Sequence, residues 1–169
     1  MKRSLMDMDR IITDWKQNAE RHDARNFKFL RSLKMKDDRA VDRAARRLHK
    51  EAFSIIDCLR CGNCCKTLDI KITSTDAEPI AKHLNMTPGA FAEAYLVADE
   101  DGDGKFRQQP CPLLGEDDHC RIYSVRPTDC REYPFTNKEG FVFRTMGHAN
   151  RALKCPAVFW IGADPVHSR

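Results

Sequence analysis

A chain of 169 residues can form one compact domain with a sizeable core, and its 32% charged residues and mean hydropathy of -0.60 suit a water-facing surface. No apolar run approaches the roughly 18 to 20 residues needed to cross a bilayer, and residues 1–7 turn acidic before a signal-like stretch forms. A cytoplasmic protein without a membrane partner is expected. The net charge of +4 and pI near 8.6 are too mild to argue for nucleic acid as a partner.

The charge is unevenly placed: residues 1–57 carry 15 Lys/Arg against 10 Asp/Glu, whereas residues 58–169 carry 14 against 15. This divides the chain into a basic, cysteine-free extension over 1–57 and a domain over 58–169 that holds all eight cysteines. In a reducing compartment so many thiols point to metal ligation rather than disulfides.

In the extension, Ile11, Ile12, Trp15, Phe27, Leu30 and Leu33 recur mostly at intervals of three or four, predicting one or two amphipathic helices over 7–35. From Asp38, a stripe of Val41, Ala44, Ala45, Leu48, Ala52, Ile55 and Ile56 predicts a helix of about five turns leading to Cys58. His49 has no second ligand one turn away and reads as a helix-surface histidine. A protein partner is a use that Trp15, Phe27 and Phe29 of the extension could serve, but folding that segment onto the core is the simpler account.

The run Cys58-Leu59-Arg60-Cys61-Gly62-Asn63-Cys64-Cys65 has the form C-x2-C-x2-C-C, in which a tight turn at Gly62 aims neighbouring sulfurs at one point. Cys111, Cys120, Cys130 and Cys155 follow, with Pro after both Cys111 and Cys155. Remote ligands of this kind clip distant loops to one centre. All eight are candidate metal ligands, although adjacent Cys64 and Cys65 cannot point the same way in an extended chain. Zinc takes four tetrahedral ligands, so eight thiols could fill two zinc sites or a shared cluster. The C-x2-C-x2-C run with a distant Cys-Pro tips the choice toward an iron–sulfur cluster, with zinc as the alternative.

Beyond the cluster, alternation in Leu68-Asp69-Ile70-Lys71-Ile72 predicts a strand. Thr75 and Glu78 suggest a capping box for a helix through Leu84, and Thr87-Pro88 opens another through about Val97. The second helix has no Lys or Arg, so the pair reads as packing rather than as a DNA reader. Asp99-Glu100-Asp101-Gly102-Asp103-Gly104 resembles the opening of a calcium loop, but the twelfth position is Pro110 instead of Glu, leaving a solvated turn. Arg126 and Arg131 read as partners of local acids such as Asp129 and Glu132, and Tyr123 and Tyr133 as packing aromatics; no catalytic residue is assigned. Asn137 to Gly140 predicts a turn before a second strand over 141–146.

Together Cys58 to Cys65, Cys111-Pro112-Leu113-Leu114, Cys120-Arg121-Ile122-Tyr123, Arg126 to Pro134 and Cys155-Pro156 resemble the YkgJ-type cysteine-cluster family. The resemblance covers residues 58–156 and implies a zinc- or iron-chelating domain. A more distant resemblance, to the cysteine domain of flagellin lysine N-methylase, implies methyl transfer to protein lysines as an alternative. No G-x-G-x-x-G nucleotide turn supports it. The expected fold is an α-rich α+β single domain organised by a cysteine-bound metal centre, with a helical extension and a small antiparallel sheet. The expected function is metal binding, the rivals being a metal-dependent redox or protein-modifying enzyme and a structural zinc module for protein interaction.

Overall fold

The computed structural model describes residues 2–98 and 103–162. The chain divides into two compact units, residues 1–57 with 134–169, and residues 58–133. The sequence reading grouped 134–169 with the cysteines, whereas in the structure this segment clusters with the N-terminal helices.

The first unit is helical. α1 (Lys2–Asn18) and α2 (Asp23–Ser32) form over the stretch whose apolar spacing predicts helix, and a 3₁₀ turn (Leu33–Met35) follows. α3 (Asp38–Ile55) begins where the Asp37 side chain accepts a hydrogen bond from the Ala40 backbone N–H at 2.6 Å, an N-cap that satisfies a free donor of the first turn. Its inner face differs from the predicted stripe, because Ala44 is exposed while Asp42 joins Ala45 and Ala52 in the interior.

That buried acid explains why the predicted strand over 141–146 is helical. Both Asp42 carboxylate oxygens accept backbone hydrogen bonds, from Gly140 and Phe141 at 2.9 Å each. A cap supplied from another helix, together with Gly140 in the left-handed region at φ 75°, turns the chain into a 3₁₀ turn (Phe141–Arg144). α9 (Thr145–Ala152) follows it, and α10 (Pro156–Gly162) follows Cys155. Local alternation loses here to tertiary hydrogen bonding. Phe141 and Val142 are both buried although adjacent, a pattern no half-buried strand can give.

Met8, Trp15, Leu30, Ala45, Ala52, Ala149, Val158 and Phe159 are buried in this unit. The Trp15 Nε1–H donates to the Ala152 carbonyl at 2.8 Å, tying α1 to the end of α9. His49 is half-buried, 2.8 Å from Thr136 Oγ1 through Nδ1 and against Phe53, so it serves packing rather than the open surface.

The second unit opens with two short helices, α4 (Cys58–Cys61) and α5 (Asn63–Thr67). Its three-stranded antiparallel sheet has the order β1 (Lys71–Ile72), β3 (Gly104–Phe106), β2 (Leu96–Ala98). Ile72 faces Gly104, and Ala98 faces Gly104 from the other side. A Cβ at Gly104 would come 2.8 Å from Leu96 Cδ1, so this central position takes glycine for lack of space. Only the end of the predicted 68–72 strand pairs.

α6 (Ser74–His83) is capped by Thr73 with Asp76, not by the predicted Thr75 with Glu78. Thr87 caps α7 (Pro88–Tyr95), which stops two residues before the predicted end because Leu96 to Ala98 enter the sheet. The helix pair packs through Ile80 and Phe91, both fully buried, with Ile72, Leu96, Phe106, Leu113 and Ile122 completing the core. α8 (Thr128–Glu132) carries Cys130. The calcium-like stretch lies outside the described residues except for Asp103 and Gly104; Lys71 Nζ pairs with Asp103 at 2.6 Å.

Candidate metal centre

Seven of the eight candidate cysteines belong to the second unit, and Cys155 belongs to the first, where it is buried ahead of α10. No disulfide joins any of the eight. Cys58 is exposed, while Cys61, Cys64, Cys65, Cys111, Cys120 and Cys130 are half-buried.

Local geometry begins at Gly62, whose φ of 58° reverses the chain between α4 and α5. Its N–H donates to the Cys58 carbonyl at 3.1 Å, and a Cβ there would lie 3.3 Å from the Asp118 Cβ. A bare backbone thus lets the loop around Asp118 approach the cysteine run. Lys66 Nζ meets Asp118 Oδ2 at 2.6 Å and fastens α5 to that loop.

Cys111 is drawn to the run by its own backbone, whose N–H donates to the Cys65 carbonyl at 2.8 Å. The chain then doubles back, with Leu114 bridged to Cys120 and the Arg121 N–H donating to Leu113 at 2.9 Å. This closes a loop with Cys111 at one end and Cys120 at the other. Cys130 is delivered by α8, which α6 anchors: Asp76 Oδ1 accepts from the Thr128 N–H at 2.9 Å and from Thr128 Oγ1 at 2.8 Å. Asp76 is 5% exposed. Burial pushes its carboxyl up, but hydrogen bonds from Thr73 and Thr128 outweigh that and hold it below the ordinary value.

The thiol electrostatics show which sulfurs share a neighbourhood. A hydrogen bond from Cys64 lowers the Cys65 thiol to about 7 against the opposing effect of burial, with Lys66 assisting. Burial pushes Cys111 up to about 11 and Cys130 up to about 12, and raises Cys120 as well. In each case the charge on Cys65 adds to the rise, and Cys130 also feels Cys111 and Cys120. The charge on Cys65 therefore opposes the ionisation of three thiols from distant positions. Among the described residues no group of three or more His, Cys, Asp or Glu side chains stands arranged to hold a metal ion. The donor set still suits a soft metal: a bound cation would stabilise the thiolates that burial and the Cys65 charge otherwise disfavour.

Arg131 interacts with Asp76 at 3.8 Å and donates to Thr128 Oγ1 at 2.7 Å. Arg126 lies over the Tyr123 ring at 3.8 Å and donates to the Tyr123 carbonyl at 2.7 Å. The two arginines thus brace the Cys130 segment. Sequence reasoning missed Asp76, Lys66 and Asp118 as supports. The Thr73-x-x-Asp76 spacing was a usable signal for the first, whereas nothing local pairs Lys66 with Asp118 across 52 residues.

No curated protein and no solved structure matches the chain significantly. The CxxCxxCC family, described as "Putative zinc- or iron-chelating domain", matches it over residues 57–154, more than half its length. The match spans the C-x2-C-x2-C-C run and the three cysteines that the fold gathers toward it. The chain belongs to this family of zinc- or iron-chelating cysteine domains.

Proposed function

We propose that the second unit holds an iron–sulfur centre bound by its cysteines and that this centre organises the unit. The observation that carries the reading is that one unit holds seven cysteines and joins distant ones to the C-x2-C-x2-C-C run, the Cys111 N–H donating to the Cys65 carbonyl at 2.8 Å with Cys120 at the far end of the same loop; the charge on Cys65 raises Cys111, Cys120 and Cys130 alike. Iron–sulfur ligation is favoured by the C-x2-C-x2-C run and by seven cysteines in one unit, more than a tetrahedral zinc takes. Because the ligands are far apart in sequence, binding contributes directly to folding free energy.

A structural zinc site is the second reading, supported by the count of four mutually interacting thiols, which equals a closed tetrahedral ligand set. Full-length protein made with ample iron and purified without oxygen distinguishes the two. Brown colour, iron with acid-labile sulfide, and bleaching in air support the cluster. A colourless preparation with zinc alone reverses the choice of metal. In either case Cys65→Ser, Cys111→Ser, Cys120→Ser and Cys130→Ser should each reduce bound metal, since a hydroxyl replaces thiolate poorly. Full metal content in all four overturns the proposed ligand set.

A further inference from the structure

The +4 of the whole chain conceals an uneven division between the two units. The segments of the first unit contain 20 Lys/Arg against 12 Asp/Glu, while the second unit contains 9 against 13. Part of the first unit's excess is ordered along one helix. On α3, Asp42, Ala45 and Ala52 face the interior, and the opposite side presents Arg39, Arg43, Arg47 and Lys50, all exposed. Their spacing of four, four and three residues keeps them on one face, which spans about 16 Å at 1.5 Å per residue. Ser54, exposed and four residues further on, continues the face.

Nearby acids leave this row uncompensated. Glu51 reaches Arg47 at 3.8 Å with both side chains more than half exposed, a pairing worth little. Glu139 pairs with Arg46, at the edge of the face, at 3.6 Å. Asp37 accepts from the Ala40 N–H, Asp42 accepts from Gly140 and Phe141, and Asp38 sits well off the face in the first turn. Among the described residues, Arg39, Arg43 and Lys50 have no ion-pair partner.

The chemistry of the face selects what would meet it. It carries no Leu, Ile, Val, Met or aromatic side chain, so it lacks both the apolar anchors of a protein interface and a wedge that enters a bilayer. Nor does it offer a ring on which unpaired bases stack. What remains is a row of cations, three of them guanidinium groups whose fork fits phosphate oxygens. A duplex presents one phosphate per about 1.7 Å of its axis, dense enough to meet each cation along the row.

We propose that Arg39, Arg43, Arg47 and Lys50 of α3 form a contact surface for the phosphate backbone of a double-stranded nucleic acid, bound without regard to sequence. The inference is independent of which metal the second unit holds.

The test uses full-length, metal-loaded protein and a fluorescein-labelled, mixed-sequence DNA duplex of about 20 base pairs, followed by anisotropy from about 50 mM salt upward. Four phosphate contacts predict a slope of log affinity against log salt of about -3 to -4. Arg39→Gln with Arg43→Gln and Lys50→Gln should weaken binding about tenfold or more and bring the slope about two closer to zero, with native melting, since the three hold no partner in the fold. Arg39→Lys with Arg43→Lys keeps the charge and should stay within about threefold of the native protein. Lys16→Gln with Lys28→Gln and Arg31→Gln removes the same charge from exposed positions of α1 and α2 and should weaken binding by less than about threefold. Absence of duplex binding at about 50 mM salt overturns the proposal, as does undiminished binding by the α3 triple variant or an equal loss in the second triple variant. So does tighter binding of a polyglutamate peptide or of phosphatidylserine vesicles than of the duplex.

Discussion

Asp76 on α6 holds Thr128 on α8 through two hydrogen bonds, 2.9 Å from its N–H and 2.8 Å from its hydroxyl, and so positions Cys130 two residues further on. The same carboxylate closes the capping box with Thr73, so one buried acid starts one helix and locates another. Asp76→Ala should destabilise the metal-loaded protein by about 3 kcal/mol, because several bonds to a charged group are lost together. Thermal melting and metal content per chain, measured side by side, should both fall. The carboxyl sits below its ordinary value, so its stabilisation is present above that value and disappears as acid drives the pH through the lowered one. Unchanged melting and unchanged metal content would remove Asp76 from this role.

Gly62 is the reversal point of the cysteine run, with φ 58° and the Asp118 Cβ 3.3 Å from where its own Cβ would lie. Gly62→Ala should cost about 1–2 kcal/mol from the left-handed backbone alone. The displaced Asp118 loop should also lower metal retention against a competing chelator. Full retention with native melting would mean the turn tolerates a side chain.

Trp15 and Ala152 join the ends of the first unit through a buried 2.8 Å hydrogen bond. Trp15→Phe keeps most of the apolar volume but takes the donor from that carbonyl, and should destabilise by about 1–2 kcal/mol. Trp15→Ala also leaves a cavity and should cost about 3–5 kcal/mol. Urea unfolding of both variants gives the comparison, and equal losses would mean that volume contributes little.

His148 is fully buried, stacked on Phe141 at 4.2 Å between centroids, and neither ring nitrogen has a hydrogen-bond partner among the described residues. Burial, with Arg151 and Arg144 adding repulsion, lowers its pKa to about 3. Below the ordinary value of about 6.5 the unfolded chain takes up a proton that the folded chain refuses, so stability falls as pH drops from about 6.5 toward 3. The linkage amounts to several kcal/mol over that window. His148→Phe keeps an aromatic ring against Phe141 and should flatten this acid slope. Urea midpoints at pH 7 and pH 4.5 measure it, and an unchanged slope would assign the acid sensitivity elsewhere.

Much of the local architecture follows from sequence alone. The period of three to four before Cys58 gives α1, α2 and α3, Thr87-Pro88 starts α7, and Gly62 reverses the cysteine run, because each rests on backbone preferences and spacing within a few residues. The C-x2-C-x2-C-C run likewise identified the metal-chelating family, since sulfur chemistry at that spacing has few other uses. Tertiary structure decided the rest. Phe141 to Met146 alternates like a strand but turns helical because Asp42, about 100 residues earlier, caps it. The capping box shifted from Thr75 to Thr73 because Asp76, unlike Glu78, also reaches Thr128. Nor could composition say that Cys65, Cys111, Cys120 and Cys130 would share one electrostatic neighbourhood. That depends on the Cys65 to Cys111 backbone bond, the turn back from Leu114 to Cys120, and the anchoring of α8. The first and last of these are long-range hydrogen bonds between groups distant in sequence, which form only once the chain has folded around them.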